Sequence, residues 1–201
     1  MCSSDLADIH LNSLKGLRSG KVEVVGVAGR NQGRLKSFAE KHDIPSIYTD
    51  WKKFLAEVEM DVVDICTPTN LHGEMIREAA SRGKSIICEK PLSGFFGQDL
   101  QVENVGDEVS REVMYQEIKK EIAAIKEALD ENKVKFMYAE NWVYAPPYRK
   151  MVNLLRKSAG VIFDIRAEES HSGSHASYSR RWRDSGGGAL LRLGAHPIGG
   201  A

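Results

Sequence analysis

Three short segments hold many of the residues able to do chemistry: AGRN at 28–31, CTPTNLH at 66–72 and CEKP at 88–91. Each closes an apolar, β-branched run, and together they offer Arg30, Thr67, Pro68, Asn70, His72, Glu89 and Lys90. In an open parallel sheet, ligands bind outside the carboxyl ends of the strands. Polar and titratable groups at three successive strand ends therefore point to a binding crevice. Taken singly, each segment also reads as a turn, because Gly, Pro, Asn and Thr are turn formers. Thr69 and Asn70 can equally cap the helix that follows, and Arg30 can be a solvated surface residue. A fourth segment, GGGALLRLGAHPI at 186–198, sets Arg192 and His196 four apart, the spacing of one helical face. In AENWVYAPP, Asn141, Trp142 and Tyr144 end a further strand, and Trp142 suits an interdomain core. His171 and His175 are also four apart, but SHSGSH is too rich in Gly and Ser for a stable helix. No carboxylate pattern completes a metal site there, so none is expected.

These residues need a scaffold, and the hydrophobic pattern supplies one. KVEVVGVAGRN, SIYTD, DVVDICTPTN, KSIICEKP and KVKFMYAENW read as strands. Between them, QGRLKSFAEKHDI, WKKFLAEV, LHGEMIREAASRG and REVMYQEIKKEIAAIKEAL have helical spacing, and Gly83 marks a helix end. Residues 93–110 read as a loop insertion. Strand and helix in alternation predict right-handed βαβ crossovers and a mainly parallel sheet, an α/β fold. APPYRKMVNLLRKSAG reads as a further helix, with proline in its first turn. VIFDIRAEES alternates like a half-exposed strand of a second sheet.

Composition narrows the function classes. Hydrophobic residues make up 42% and charged residues 28%, and the formal net charge is zero. Such a chain offers no bulk electrostatic attraction for nucleic acid or an anionic membrane. No apolar run approaches the roughly 18 residues that span a bilayer. Cys2, Cys66 and Cys88 form no CxxC pair, as expected of reduced thiols in the cytoplasm.

The order and spacing of CTPTNLH, EKP and GGGALLRLGAHPI resemble the Gfo/Idh/MocA family of NAD(P)-dependent oxidoreductases, from about Ala7 to the end of the chain. The resemblance implies a Rossmann domain over residues 7–145 and the start of an α+β, mainly antiparallel substrate and oligomerisation domain over 146–201. It implies NAD or NADP as cofactor, a carbohydrate-like small-molecule substrate and a homo-oligomer. Lys90 is then the lysine close to nicotinamide and the reacting hydroxyl. An ammonium beside a cationic ring is disfavoured, which suits proton exchange with an alcohol. Glu89 holds the cofactor ribose or orients Lys90. Thr67, Pro68, Asn70 and His72 lie along the diphosphate and nicotinamide. Asn141, Tyr144, Arg192 and His196 face substrate, with His196 as a second catalytic group. Arg30 stands where an arginine can meet the 2′-phosphate of NADP, a lean towards that cofactor.

Two departures qualify the resemblance. The family commonly has an acid four residues before its histidine, and here that position is Arg192. The glycine fingerprint, counted back from His10, places its last member at Ala7 and its glycines at Cys2 and Ser4, neither of which is glycine. Residues 1–6 are therefore expected to be a non-native leader, the sheet to lack its first strand, and the 201-residue chain to bind dinucleotide poorly. The implied activity is hydride transfer between nicotinamide and a sugar, polyol or cyclitol hydroxyl. The alternatives are a redox-neutral NAD-dependent sugar lyase or glycosidase, and a non-enzymatic cofactor-sensing regulator, to which Arg192 lends support.

Overall fold

The structure, a computed structural model, describes residues 4–17, 22–97, 99–158, 160–170 and 177–200. The chain opens with helix α1 (Ser4–Lys15), then runs β1 (Val27–Ala28), α2 (Gln32–His42), β2 (Ile47–Tyr48) and α3 (Trp51–Glu57). The second half of the sheet region is β3 (Val62–Ile65), α4 (His72–Ser81), β4 (Ser85–Glu89), α5 (Val105–Glu108), α6 (Arg111–Asn132) and β5 (Phe136–Ala139). Helices α7 (Pro146–Ser158), α8 (Trp182–Ser185), α9 (Ala189–Leu193) and α10 (Ala195–Gly200) follow.

Among the described residues all strand pairs are parallel, in two sheets ordered β1-β2 and β3-β4-β5. Parallel neighbours must be joined by crossovers, and α4 and α6 serve as these connections. The core explains why they stay in place. Ile76, Ala79 and Ala80 of α4 are fully buried against Ile86 and Cys88 of β4, with Ile125 of α6. The amphipathic pattern of α6 is only half used, since Ile125 is buried and Ile122 exposed. A second cluster joins Leu11 of α1 to Ala39 and Ile44. Asn31 caps α2 through the N–H of Arg34, Asp50 caps α3 and Ser110 caps α6. Gly83 ends α4 at a φ of 70°, where a side chain would be strained.

A cavity of about 740 Å³ lies between the two sheets. Val24, Val25 and Val27 line it on the side of β1, and Val63, Ile65 and Cys66 on the side of β3. The run from Val22 to Gly26, expected to be strand, consequently forms no ladder, and only Val27 and Ala28 pair. A backbone segment enters a sheet only where a neighbour accepts its hydrogen bonds. The same reason corrects the expected strand over 161–170. It has no strand partner among the described residues, and Val161, Ile162, Phe163 and Ile165 are exposed. The described residues of 93–110 are loop apart from α5.

Candidate active site

The carboxyl ends of β1, β3, β4 and β5 lead into Arg30, Cys66–Thr67, Glu89–Lys90 and Glu140–Tyr144 respectively. At β4, Glu89 is buried at 7% exposure, and both its carboxylate oxygens are engaged within the protein. One faces Nε2 of His10 at 2.9 Å, and the other accepts the backbone N–H of Lys90 at 3.1 Å. Glu89 thus links α1 to the segment that carries Lys90. Lys90 is half-buried, and its Nζ donates to the carbonyl of Arg192 at 3.1 Å. The peptide between Lys90 and Pro91 is cis.

His72 is 1% exposed and lies behind these strand ends. Its ring nitrogens face the carbonyls of Pro91 and Thr67, each at 3.0 Å. Burial drives its pKa down, so the neutral ring donates through one nitrogen at a time. The imidazole thus ties the segment after β3 to the segment after β4 and is not presented to a crevice. Thr67 is partly buried, with its hydroxyl directed at the Met75 sulfur. Pro68 and Thr69 are buried, and Asn70 is half-buried in a short 3₁₀ turn over Thr69–Leu71. Neither Thr69 nor Asn70 caps α4, whose N-terminus has no side-chain cap.

Arg192 and His196 were expected on one helical face. They fall on two short helices, α9 and α10, separated at Gly194. The Arg192 guanidinium lies over the Tyr178 ring at 5.8 Å. His196 is buried at 8% exposure, and its Nδ1 is paired with Oε1 of Glu140. Glu140 also accepts the N–H groups of Trp142 at 3.1 Å and Val143 at 3.2 Å. Burial pushes the Glu140 carboxyl up, but the bond from His196 and the two backbone donors outweigh it and hold it below its ordinary value. The acid that pairs with His196 thus comes from the end of β5 and not from position 192. Sequence reasoning missed Glu140, although it follows an apolar strand, the signal that singled out Glu89.

Trp142, expected in an interdomain core, is 52% exposed and stacks obliquely on His196 with ring centroids 5.8 Å apart. Asn141 and Tyr144 are exposed beside it. Arg30 is exposed after β1 and makes no hydrogen bond or ion pair among the described residues. His171 and His175 lie outside the described residues.

The later segment is fastened to the loop after Lys90 by defined contacts. Trp182 Nε1 donates to the Phe95 carbonyl at 2.7 Å, and Arg183 donates to the carbonyls of Gly97, Leu100 and Val102. The Phe95 N–H donates to the Gly186 carbonyl at 3.1 Å. Gly94 must be glycine for this approach, because a Cβ there would meet the Gly186 backbone at 2.8 Å.

His10 of α1 completes the inner edge of the site. Its Nδ1 faces the Asp64 carboxylate at 2.9 Å and the Cys66 sulfur at 3.5 Å. Hydrogen bonds to Asp64, then Cys66, then Glu89 push its pKa up to about 12, so the ring is a cation.

Residues 4–102 match the family described as oxidoreductases with an NAD-binding Rossmann fold, Gfo/Idh/MocA. Over that stretch, about half of its length, the chain is similar to the Gfo/Idh/MocA oxidoreductases. It is 28% identical over 185 residues to trans-1,2-dihydrobenzene-1,2-diol dehydrogenase of Bos taurus, covering 91% of this chain and 48% of that protein. It is 32% identical over 80 residues to D-xylose 1-dehydrogenase (NADP(+)) 2 of Haloferax volcanii, covering 40% of this chain and 25% of the relative. Among solved structures, GenD2 from gentamicin A biosynthesis, in complex with NAD, matches with a TM-score of 0.73 and 20% identity, over 96% of this chain and 48% of GenD2. These matches span between a quarter and a half of the relatives' lengths.

The residues present fit a dinucleotide at its two ends. Arg30 is exposed after β1 and unengaged among the described residues, and Thr67 and Lys90 close the ends of β3 and β4.

Proposed function

We propose that the whole protein is an NAD(P)-dependent oxidoreductase acting on a hydroxyl of a sugar, polyol or cyclitol. The observation that carries this reading is the contact of Lys90 with the Arg192 carbonyl, which brings the segment bearing His196 to the strand ends. Bound nicotinamide would supply the hydride chemistry. Arg30 would hold the adenosine end of the cofactor, with a preference for the 2′-phosphate of NADP. Thr67 would line the nicotinamide end, with Pro68 and Asn70 along the path between. His72 and Glu89 set the positions of these segments from behind.

Lys90 would exchange the hydroxyl proton at its Nζ. His196, held through Nδ1 by Glu140, keeps Nε2 for substrate as a second proton-handling group. Asn141, Tyr144 and Arg192 lie around this pair as hydrogen-bond donors for further hydroxyls. The His196–Glu140 pair favours catalysis over a purely sensory role, since it restores the acid that Arg192 displaces. A homo-oligomer is supported by the apolar surface at Val161, Ile162, Phe163 and Ile165. No helix among the described residues is long and apolar enough to cross a membrane, and we place the protein in the cytoplasm.

The test is a panel of sugars, polyols and cyclitols offered to the whole protein with NAD+ and NADP+, read by nicotinamide absorbance. At least one substrate should reduce the cofactor. Lys90→Ala should lower kcat by about 10²-fold or more, the usual size of a lost proton-transfer group, with a smaller change in KM. Unchanged turnover in that variant would overturn the assignment of Lys90.

A further inference from the structure

We propose that His10, Asp64 and Cys66 form a binding site for a zinc-like divalent cation, with Glu89 as its outer support. The donor atoms of the three residues all lie within 4.8 Å of one another. Nδ1 of His10 is 3.1 Å from Oδ1 of Asp64 and 3.5 Å from Sγ of Cys66, and Sγ is 3.6 Å from the same Oδ1. A tetrahedral zinc site with bonds of about 2.0–2.3 Å has ligand–ligand edges of about 3.3–3.8 Å. The triangle already has nearly that size, so binding requires only small side-chain adjustments.

The scaffold explains the convergence. Asp64 and Cys66 are two apart at the end of β3, so their side chains point to the same face of the strand. His10 comes down on them from α1. The spacing of residues along the chain could not reveal the set, because His10 and Asp64 lie 54 residues apart. Asp64 and Cys66 also line the cavity between the two sheets.

Glu89 supplies what such sites generally need behind a histidine. Its Oε1 faces His10 Nε2 at 2.9 Å, which fixes the ring with Nδ1 toward Asp64 and Cys66. A carboxylate on the far ring nitrogen is the usual outer partner of a metal-bound histidine. The donor set of one nitrogen, one sulfur and one oxygen selects a borderline cation such as Zn2+ over Mg2+ or Ca2+, which take oxygen ligands. The exchange balances: the cation enters, one proton leaves Nδ1 of His10 and one leaves the Cys66 thiol. The net charge of the cluster is unchanged. The proposal does not depend on the oxidoreductase reading.

Cobalt(II) is the probe, titrated into the reduced 201-residue chain and followed by absorption. A single site should appear, with a thiolate-to-cobalt charge-transfer band and the intense visible bands of four-coordinate cobalt. Cys66→Ser should abolish the charge-transfer band, and Cys88→Ser should keep it. Glu89→Gln should keep the band and weaken binding about 10- to 100-fold, as loss of an outer partner does. Should Cys66→Ser fail to fold by circular dichroism, X-ray absorption on the zinc-loaded unmodified chain decides: one sulfur with nitrogen and oxygen ligands is expected. Absence of the cobalt–thiolate band, its survival in folded Cys66→Ser, or a zinc shell with no sulfur or several overturns the site.

Discussion

Replacing Glu140 with Gln keeps the shape of the side chain and removes its charge. In the structure this carboxylate holds three donors, Nδ1 of His196 and the N–H groups of Trp142 and Val143. Gln leaves one carbonyl oxygen to accept and turns an amide NH2 towards the remaining donor side. A hydrogen bond involving a charged group contributes about 1.5–3 kcal/mol, so the variant should lose about 2 kcal/mol at neutral pH. For a chain of this size that is a fall in Tm of roughly 4–8 °C. The pH dependence follows from the depressed carboxyl pKa. A group whose folded pKa lies below its unfolded value stabilises the fold above the unfolded value. That contribution is lost as pH drops through the folded one. The difference between the parent protein and Glu140→Gln should therefore be full at pH 7 and shrink once the pH falls below the ordinary value of 4.5. Urea unfolding across that range measures it, and the fluorescence of Trp142, stacked on His196, reports the local docking. No difference at pH 7, or one that persists undiminished in acid, refutes the pairing as a source of stability.

Other perturbations test the scaffold and the cofactor end. Gly94→Ala drives a methyl group into the Gly186 backbone, and should cost about 1–3 kcal/mol in chemical denaturation. Ile76→Ala empties a fully buried position between α4 and β4, with an expected loss of about 2–5 kcal/mol in the same assay. Arg30→Ala in the whole protein should weaken NADPH binding about tenfold, or 1.4 kcal/mol, and leave NADH nearly unaffected by titration calorimetry. An equal loss for both cofactors would count against a contact to the 2′-phosphate.

The parallel fold was legible because its strands are continuous apolar runs and its helices are amphipathic, and both signals are local. DVVDICTPTN and KSIICEKP form β3 and β4 with their turns where the pattern places them. Alternation in VIFDIRAEES was an equally local signal, but a strand needs a partner, and no strand among the described residues pairs with it. The same dependence reduced VEVVGVA to a two-residue strand beside a cavity. At the site, Glu89 and Lys90 stood out because charged residues rarely end an apolar run without a reason. Their partners did not. Glu140 meets His196 from 56 residues away, and His10 meets Glu89 from 79 away. Such pairings come from the way the crossovers fold back, which no window of sequence contains. His72 shows the reverse: the family resemblance implied a cofactor contact, whereas its burial makes it a clasp between two loops.

Hydride transfer is tested most directly with the whole protein and a reactive polyol or sugar from the panel that carries deuterium on its carbinol carbon. Mass spectrometry of the recovered nicotinamide should find one deuterium on the reduced ring for each carbonyl product formed. Carbonyl product accompanied by unlabelled nicotinamide, with the deuterium released to water, would contradict the assignment of this protein as a nicotinamide-dependent oxidoreductase.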